Sequence, residues 1–196
     1  MLLNAGMIAG VLLAAGAGTR FGGDKLLYRP PGGTPIGLVA LRNLKAALPD
    51  SVAVVRPEHA ELHQVLEREG VRVIDCAEAE LGMGHSLAAG VAAAPAADGW
   101  VIALADMPRI RPDTIAAVAR ALEQGAELVV PVFSGHRGHP VGFSRRFRDQ
   151  LLALTGDTGA RAIVAANQPL MRALEVDDPG VIQDIDTRAD ARGIGS

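Results

Sequence analysis

Runs of apolar residues of strand length recur along the chain at 8–13, 52–55, 71–74, 101–104 and 128–130. They are mostly apolar at consecutive positions rather than alternating, which is the pattern of strands covered on both faces of a parallel sheet. Between them, 36–48, 58–69, 86–94 and 114–124 carry apolar residues at helical spacing. Strand, helix, strand in repetition predicts an α/β fold with a twisted, mostly parallel sheet and helices on both sides. Pro112 and Asp113 open the helix at Thr114, Gly125 follows its end, and Gly70 ends the helix before Val71. After Pro131 the rhythm changes to a Gly- and His-rich loop, FSGHRGHPVGF. Two short helical stretches at 145–154 and 158–167 follow, then an acidic, turn-rich tail from Val176. No repeat, linker or low-complexity block interrupts the chain, so residues 1–196 read as a single domain, with 1–6 a non-essential N-terminal extension.

Composition narrows the partners. Hydrophobic residues make up 49% of the chain but aromatics only 3%, which argues against a platform for stacking bases. With 19 basic against 22 acidic side chains there is no cation excess to neutralise a nucleic acid backbone. Cys76 is the only cysteine, so neither an internal disulfide nor a multi-thiolate zinc site can form, and a reducing, cytoplasmic compartment fits. The apolar stretch MIAGVLLAA lacks a preceding Lys or Arg and is much shorter than the roughly 20 residues that cross a bilayer. It reads as a buried strand, with no membrane role. The ligand is expected to be small.

Four segments could carry chemistry. The first, LLAAGAGTRFGGDK at 12–25, follows the first strand directly. Its glycines let the backbone approach a ligand closely and point N–H groups at phosphate oxygens, while Arg20 and Lys25 add positive charge for the same oxygens. Gly16, Gly18 and Gly22 are spaced one residue too long for a dinucleotide fingerprint, and Lys25 is not followed by Ser or Thr as in a P-loop. A turn with solvated cations is the alternative. The second, ALADMP, puts Asp106 just beyond the carboxyl end of a strand, where open parallel sheets place their ligands and where a carboxylate can hold magnesium beside phosphates or merely cap a turn. The third, LGMGHSL, is a glycine-bearing segment ahead of a helix opening at Ser86, whose N–H groups suit an anion or a base edge. The fourth, DPGVIQDIDTRAD, places Asp184 and Asp186 two apart, on one side of an extended segment, where they could complete a magnesium site with Asp106 or stand solvated.

In order along the chain, LAAGxGxRFGxxK, GMGxSL, LADMP, RGHPVGF, GDTGAR and DIDTxAD resemble the MobA-like nucleotidyltransferases, and among them the molybdenum cofactor cytidylyltransferase (MocA) branch. The resemblance runs from Val11 to Asp190. It implies a Rossmann-like three-layer α/β sandwich of the nucleotide-diphospho-sugar transferase type. It also implies a reaction that joins CMP from CTP to the terminal phosphate of molybdenum-bearing molybdopterin, with Mg²⁺ present and pyrophosphate released. Carried over, it makes Leu13, Ala14, Ala15, Gly16 and Gly18 the nucleotide-cradling loop, with Arg20 and Lys25 on the triphosphate. Ala15 gives LAAG, as in the cytidylyl branch, where the guanylyl branch usually has LAGG. Gly82, Gly84 and Ser86 would lie near base and ribose. Asp106 would hold Mg²⁺ with Asp186 and Asp184, and Gly138, His139, Pro140, Asp157 and Arg161 would face the pterin.

The sequence departs from the pattern at Arg188, where DIDTP has proline, at Cys76, a position often Asn, and at the PPGGTPIG insertion before the first helix. His85, His59, His63 and Trp100 read as surface or packing residues, and Met83 as adaptable packing beside the ligand. The rivals are transfer of GMP, a sugar- or polyol-phosphate acceptor, and a non-catalytic carrier that matures a molybdenum hydroxylase. Charge is uneven: 137–148 holds four arginines (Arg137, Arg145, Arg146, Arg148) and no acid, whereas from Glu175 onward six acids face two arginines. The basic stretch is expected to meet an anionic ligand, and the acidic tail its magnesium.

Overall fold

Apolar runs without polar interruption can be satisfied only where both faces of a strand are covered, and the chain covers them with helices in two layers. A computed structural model describes residues 6–16, 18 and 21–192; the expectation for 1–5 lies outside them. In chain order the elements are β1 (Ile8–Leu13), α1 (Ile36–Ala47), β2 (Ser51–Val55), α2 (Ala60–Glu67), β3 (Arg72–Asp75), α3 (Met83–Ala93) and β4 (Gly99–Leu104). Then come α4 (Pro112–Glu123), β5 (Leu128–Phe133), β6 (His136–Arg137), β7 (Val141–Ser144), α5 (Arg148–Leu152), α6 (Arg161–Ala166) and β8 (Met171–Glu175).

Among the described residues the sheet has eight strands, in the order β3-β2-β1-β4-β7-β5-β6 with β8 paired to β5. β1, β2, β3 and β4 are mutually parallel, in register Leu13↔Leu104 and Leu13↔Val54, and β8 runs parallel to β5. Alternate residues serve opposite cores. Ile8, Leu12, Val101 and Val129 pack under α1, α2 and α4, while Val11, Leu13, Ile102 and Val130 pack under α3, α5 and α6. This is a three-layer α/β sandwich. Trp100 is fully buried in the second core, its indole N–H donating to the Ala94 carbonyl at 3.2 Å. Among the described residues no helix is long and apolar enough to cross a membrane.

The structure corrects the sequence expectations at three places. The stretch at 71–74 is not covered on both faces: β3 is an edge strand whose residues are exposed or half-buried. The Gly- and His-rich loop after Pro131 folds instead as β6 and β7, and β7 runs antiparallel between β4 and β5 with Phe143 opposite Trp100 and Leu128. Only Val141 and Phe143 alternate there, a pattern too short to stand out from the flanking glycines. The helix expected from Ser86 begins at Met83, with Gly82 as its N-cap residue.

Candidate active site

The strand ends that meet at the C-terminal edge of the sheet bring the chemistry together. Ala14 N–H donates to Val54 O at 2.8 Å and Ala105 N–H to Leu13 O at 3.0 Å, so the turns leaving β1 and β4 continue the sheet side by side. Asp106 follows on the second turn. Lys25 is brought back to it by a tight turn in which Asp24 Oδ1 accepts from Leu26 N–H at 3.2 Å and Leu27 N–H at 3.3 Å. The tail closes over both: Ile185 is fully buried and its N–H donates to Asp106 O at 2.9 Å, leaving Asp184 and Asp186 on its two sides. Asp190 fixes the following turn by accepting from Thr187 N–H at 2.7 Å and Thr187 Oγ1 at 2.8 Å, contacts that hold its carboxyl below the usual range. Arg188, the departure from DIDTP, places its guanidinium 5.4 Å from the centroid of the Tyr28 ring, a cation–π contact between the tail and the Lys25 turn.

Lys25 Nζ donates to Asp106 Oδ2 at 2.8 Å and stands 3.7 Å from Asp186 Oδ1, with a side chain 10% exposed. Two carboxylates therefore converge on one point. Among the described residues no three His, Cys, Asp or Glu side chains gather as a metal cage, so Asp184 does not join Asp106 and Asp186 in one cluster. A pair of carboxylate oxygens still fits magnesium, which keeps several waters and is commonly held by one or two carboxylates plus substrate phosphates.

Two cavities adjoin at this point. The smaller, about 310 Å³, is lined by Leu13, Ala15, Gly16, Lys25, Asp106, Gly82 and Ser86 of the expected set, together with Arg56 and Glu80. The larger, about 820 Å³, is lined by Gly138, His139, Asp157 and Arg161, with Arg137 and Gln168 at its polar side and Leu87, Val130 and Phe143 among its apolar walls. Leu13, Met83, Leu104 and Asp157 line both. Ala14, Gly18, Gly84 and Pro140 line neither. Arg20 lies outside the described residues.

Arg56 was not found by sequence reasoning. It directly follows β2, donates from Nε to the Ala15 carbonyl at 2.7 Å and keeps a side chain only 16% exposed. An arginine directly after a buried strand is the sole signal that could have marked it. The expected basic patch at 137–148 is mostly spent on the protein itself: Arg145 donates to Ala97 O, Arg146 to Glu127, and Arg148 pairs with Asp149. Of these arginines Arg137 reaches the large cavity, donating to Gln168 Oε1 at 2.7 Å.

His139 Nδ1 is buried and has no hydrogen-bond partner among the described residues. Burial pushes the imidazole pKa down; Asp106 pulls it up, Arg161 pushes it further down, and Asp184 pulls it up. It is neutral near pH 7. Burial likewise pushes the Cys76 thiol up, against hydrogen bonds from Glu78 and Ser86, so it is a poor nucleophile.

The glycines of GMG face the protein as well as the ligand. A Cβ on Gly84 would stand 2.8 Å from the Thr155 carbonyl, and Gly84 N–H donates to Gly156 O at 2.8 Å. Gly82 adopts φ +127°, and a Cβ there would strike the backbone of Gly156 and Asp157. The start of α3 is thus laid against the loop that carries Asp157 and leads into Arg161 at the start of α6. Gly138 is packed equally tightly on the Val181 carbonyl.

The family model described as MobA-like NTP transferase domain matches residues 10–171. The chain is 38% identical to the purine catabolism protein PucB of Bacillus subtilis (strain 168), over 92% of both chains. It is 30% identical to the probable molybdenum cofactor guanylyltransferase of Thermococcus gammatolerans, over 87% of this chain and 83% of that one. It is 28% identical to the nicotine blue oxidoreductase of Paenarthrobacter nicotinovorans, over 92% of both. The crystal structure of Rv0371c from Mycobacterium tuberculosis H37Rv shares the fold with a TM-score of 0.84 at 29% identity, covering 97% of this chain and 98% of that one. A structure of Rv0371c in complex with manganese gives 0.78 at 28% identity, covering 96% and 97%.

Proposed function

The chain belongs to the MobA-like NTP transferase family, and from that premise we propose that it transfers CMP from CTP to the terminal phosphate of molybdenum-bearing molybdopterin. An oxygen of the acceptor phosphate forms a bond to the α-phosphorus, the bond from the α-phosphorus to the bridging oxygen breaks, and pyrophosphate leaves with that electron pair. The observation that carries the reading is the meeting of two cavities beside Lys25, Asp106 and Asp186. One cavity suits a nucleotide and the other a larger acceptor with an apolar body and an anionic end.

The reaction needs no protein nucleophile, because a phosphate monoester is already ionised near neutral pH. What the chain supplies is alignment and cancellation of charge. Gly16 and its neighbours cradle the phosphates, and Lys25 turns from its carboxylate partners to the leaving pyrophosphate, a task Arg20 shares on the family resemblance. Asp106 and Asp186 would hold Mg²⁺, which when bound polarises phosphate oxygens; the manganese complex of Rv0371c supports a divalent ion on this fold. His139, Asp157 and Arg161 orient the acceptor. Residues 1–196 act as one domain in this reading, in the cytoplasm.

LAAG at Leu13 to Gly16 supports CTP, and the guanylyltransferase relative supports a molybdopterin-type acceptor. Pyrophosphate release measured with CTP, GTP, UTP and ATP, Mg²⁺ and molybdenum-loaded molybdopterin tests it. The highest kcat/KM is expected with CTP. GTP ahead of CTP would reject the cytidylyl assignment, and no release with any of them would leave the carrier reading.

A further inference from the structure

The small cavity runs along the C-terminal edge of three neighbouring strands. Asp106 stands beyond β4, Gly16 beyond β1 and Arg56 beyond β2, and these strands are consecutive in the sheet. Neighbouring strands are about 4.8 Å apart, which separates Arg56 from the Asp106 end by roughly 10 Å, two strand spacings. That separation suits a nucleotide held by its phosphates at Lys25 and Asp106, with ribose and base reaching toward β2. Ala79 and Glu80, from the turn at Ala77–Leu81, also line this cavity.

The guanidinium is held in place. Its Nε donates to Ala15 O at 2.7 Å, and Nη1 stands 3.7 Å from Glu58 Oε1. With Nε engaged, four of the five N–H donors remain on the terminal nitrogens, in a rigid, donor-only fork. Such a fork matches a base edge that offers two adjacent acceptors. Cytosine presents N3 and O2 side by side. Uracil and guanine carry N–H donors at the corresponding ring positions, and adenine sets its acceptor next to an amino group. Guanine could meet the fork only along its other edge, through N7 and O6. Glu80 provides a carboxylate acceptor for an exocyclic amino group.

We propose that Arg56 is a specificity-determining residue that reads cytosine by donating to O2 and N3. This rests on the CTP reading above. The test measures kcat/KM and calorimetric nucleotide binding for CTP, UTP, GTP and ATP with the wild type, Arg56→Gln and Arg56→Lys, the last keeping the charge and losing the fork. In both variants the preference for CTP over UTP is expected to shrink about tenfold or more, the size of one good bidentate pair. KM for CTP should rise while kcat at saturation stays within about threefold, the binding interaction being common to ground and transition states. Equal losses with all four nucleotides would overturn the proposal, since Arg56 would then be holding phosphates or the loop. A wild type that prefers GTP would defeat the CTP reading and the cytosine assignment with it. If wild-type turnover is absent, loss of CTP-selective binding in the variants still upholds the proposal, and unchanged binding rejects it. Melting temperatures identify a variant that has merely unfolded.

Discussion

Lys25 stands where one cation can neutralise two carboxylates, and the three side chains do not weigh equally. Asp106 is in direct hydrogen-bond contact at 2.8 Å, Asp186 is at 3.7 Å, and Asp184 exerts its charge on His139 instead. Asp106→Ala is expected to lower kcat by at least about 100-fold, the scale of one lost electrostatic stabiliser. Asp184→Ala should cost less than about tenfold, since its neighbour is an imidazole and not the convergence point. Steady-state pyrophosphate release at saturating Mg²⁺ checks the order, and equal losses in the two variants would put Asp106 and Asp184 in one role. These carboxylates and Lys25 were legible in sequence because each sits a fixed step past a strand or in a short motif. Arg56 was not, because its importance comes from β2 lying beside β1, a relation between segments about 40 residues apart that no local pattern encodes.

At the scale of elements, the helices and the parallel half of the sheet were readable because continuous apolar runs and helical spacing each have a single economical burial. The strands added after β5 were not. β6 and β7, which pair antiparallel, and β8, which pairs parallel to β5, are short, and the residues of β7 and β8 are chosen by partners distant in sequence. The GMG segment shows the same limit. The resemblance places Gly82 and Gly84 near base and ribose, whereas the space at Gly84 is filled by the Thr155 backbone. Gly84→Ala is therefore expected to destabilise the fold by about 1–3 kcal/mol, the usual cost of overpacking. It should also raise KM for the acceptor more than KM for the nucleotide, since the displaced loop carries Asp157 and leads into Arg161. Thermal melts and separate titrations of the two substrates measure both, and a change confined to the nucleotide would contradict the placement.

For the molecule as a whole, the near-neutral total charge conceals arginines already engaged by the protein and a tail of acids wrapped over the sheet edge. His139 makes stability depend on pH in a definite direction. Its folded pKa is lowered, so the unfolded chain binds the proton more readily. The contribution is present in full above the ordinary imidazole value of about 6.5 and is lost as pH falls from there through the lower folded value. The melting temperature is expected to drop between pH 7.5 and 5, and His139→Asn should flatten part of that drop. An identical slope in the variant would assign the acid sensitivity elsewhere.

The wall shared by the two cavities has a consequence for the end of the cycle. Leu13, Met83, Leu104 and Asp157 touch both chambers, so a molecule made by joining their contents occupies them together. It is a bivalent ligand, and when one end lets go the other keeps it at high local concentration for recapture. Pyrophosphate has no such second grip. The first turnover is expected to appear in rapid mixing as a burst of pyrophosphate close to one equivalent per chain, followed by a slower steady rate set by departure of the dinucleotide. A strictly linear course would place the slow step in bond formation. On the proposed reaction, a product gripped at two ends is given up most readily to a receiver that can take hold of one of them, and such a receiver is expected to speed the steady phase without changing the burst.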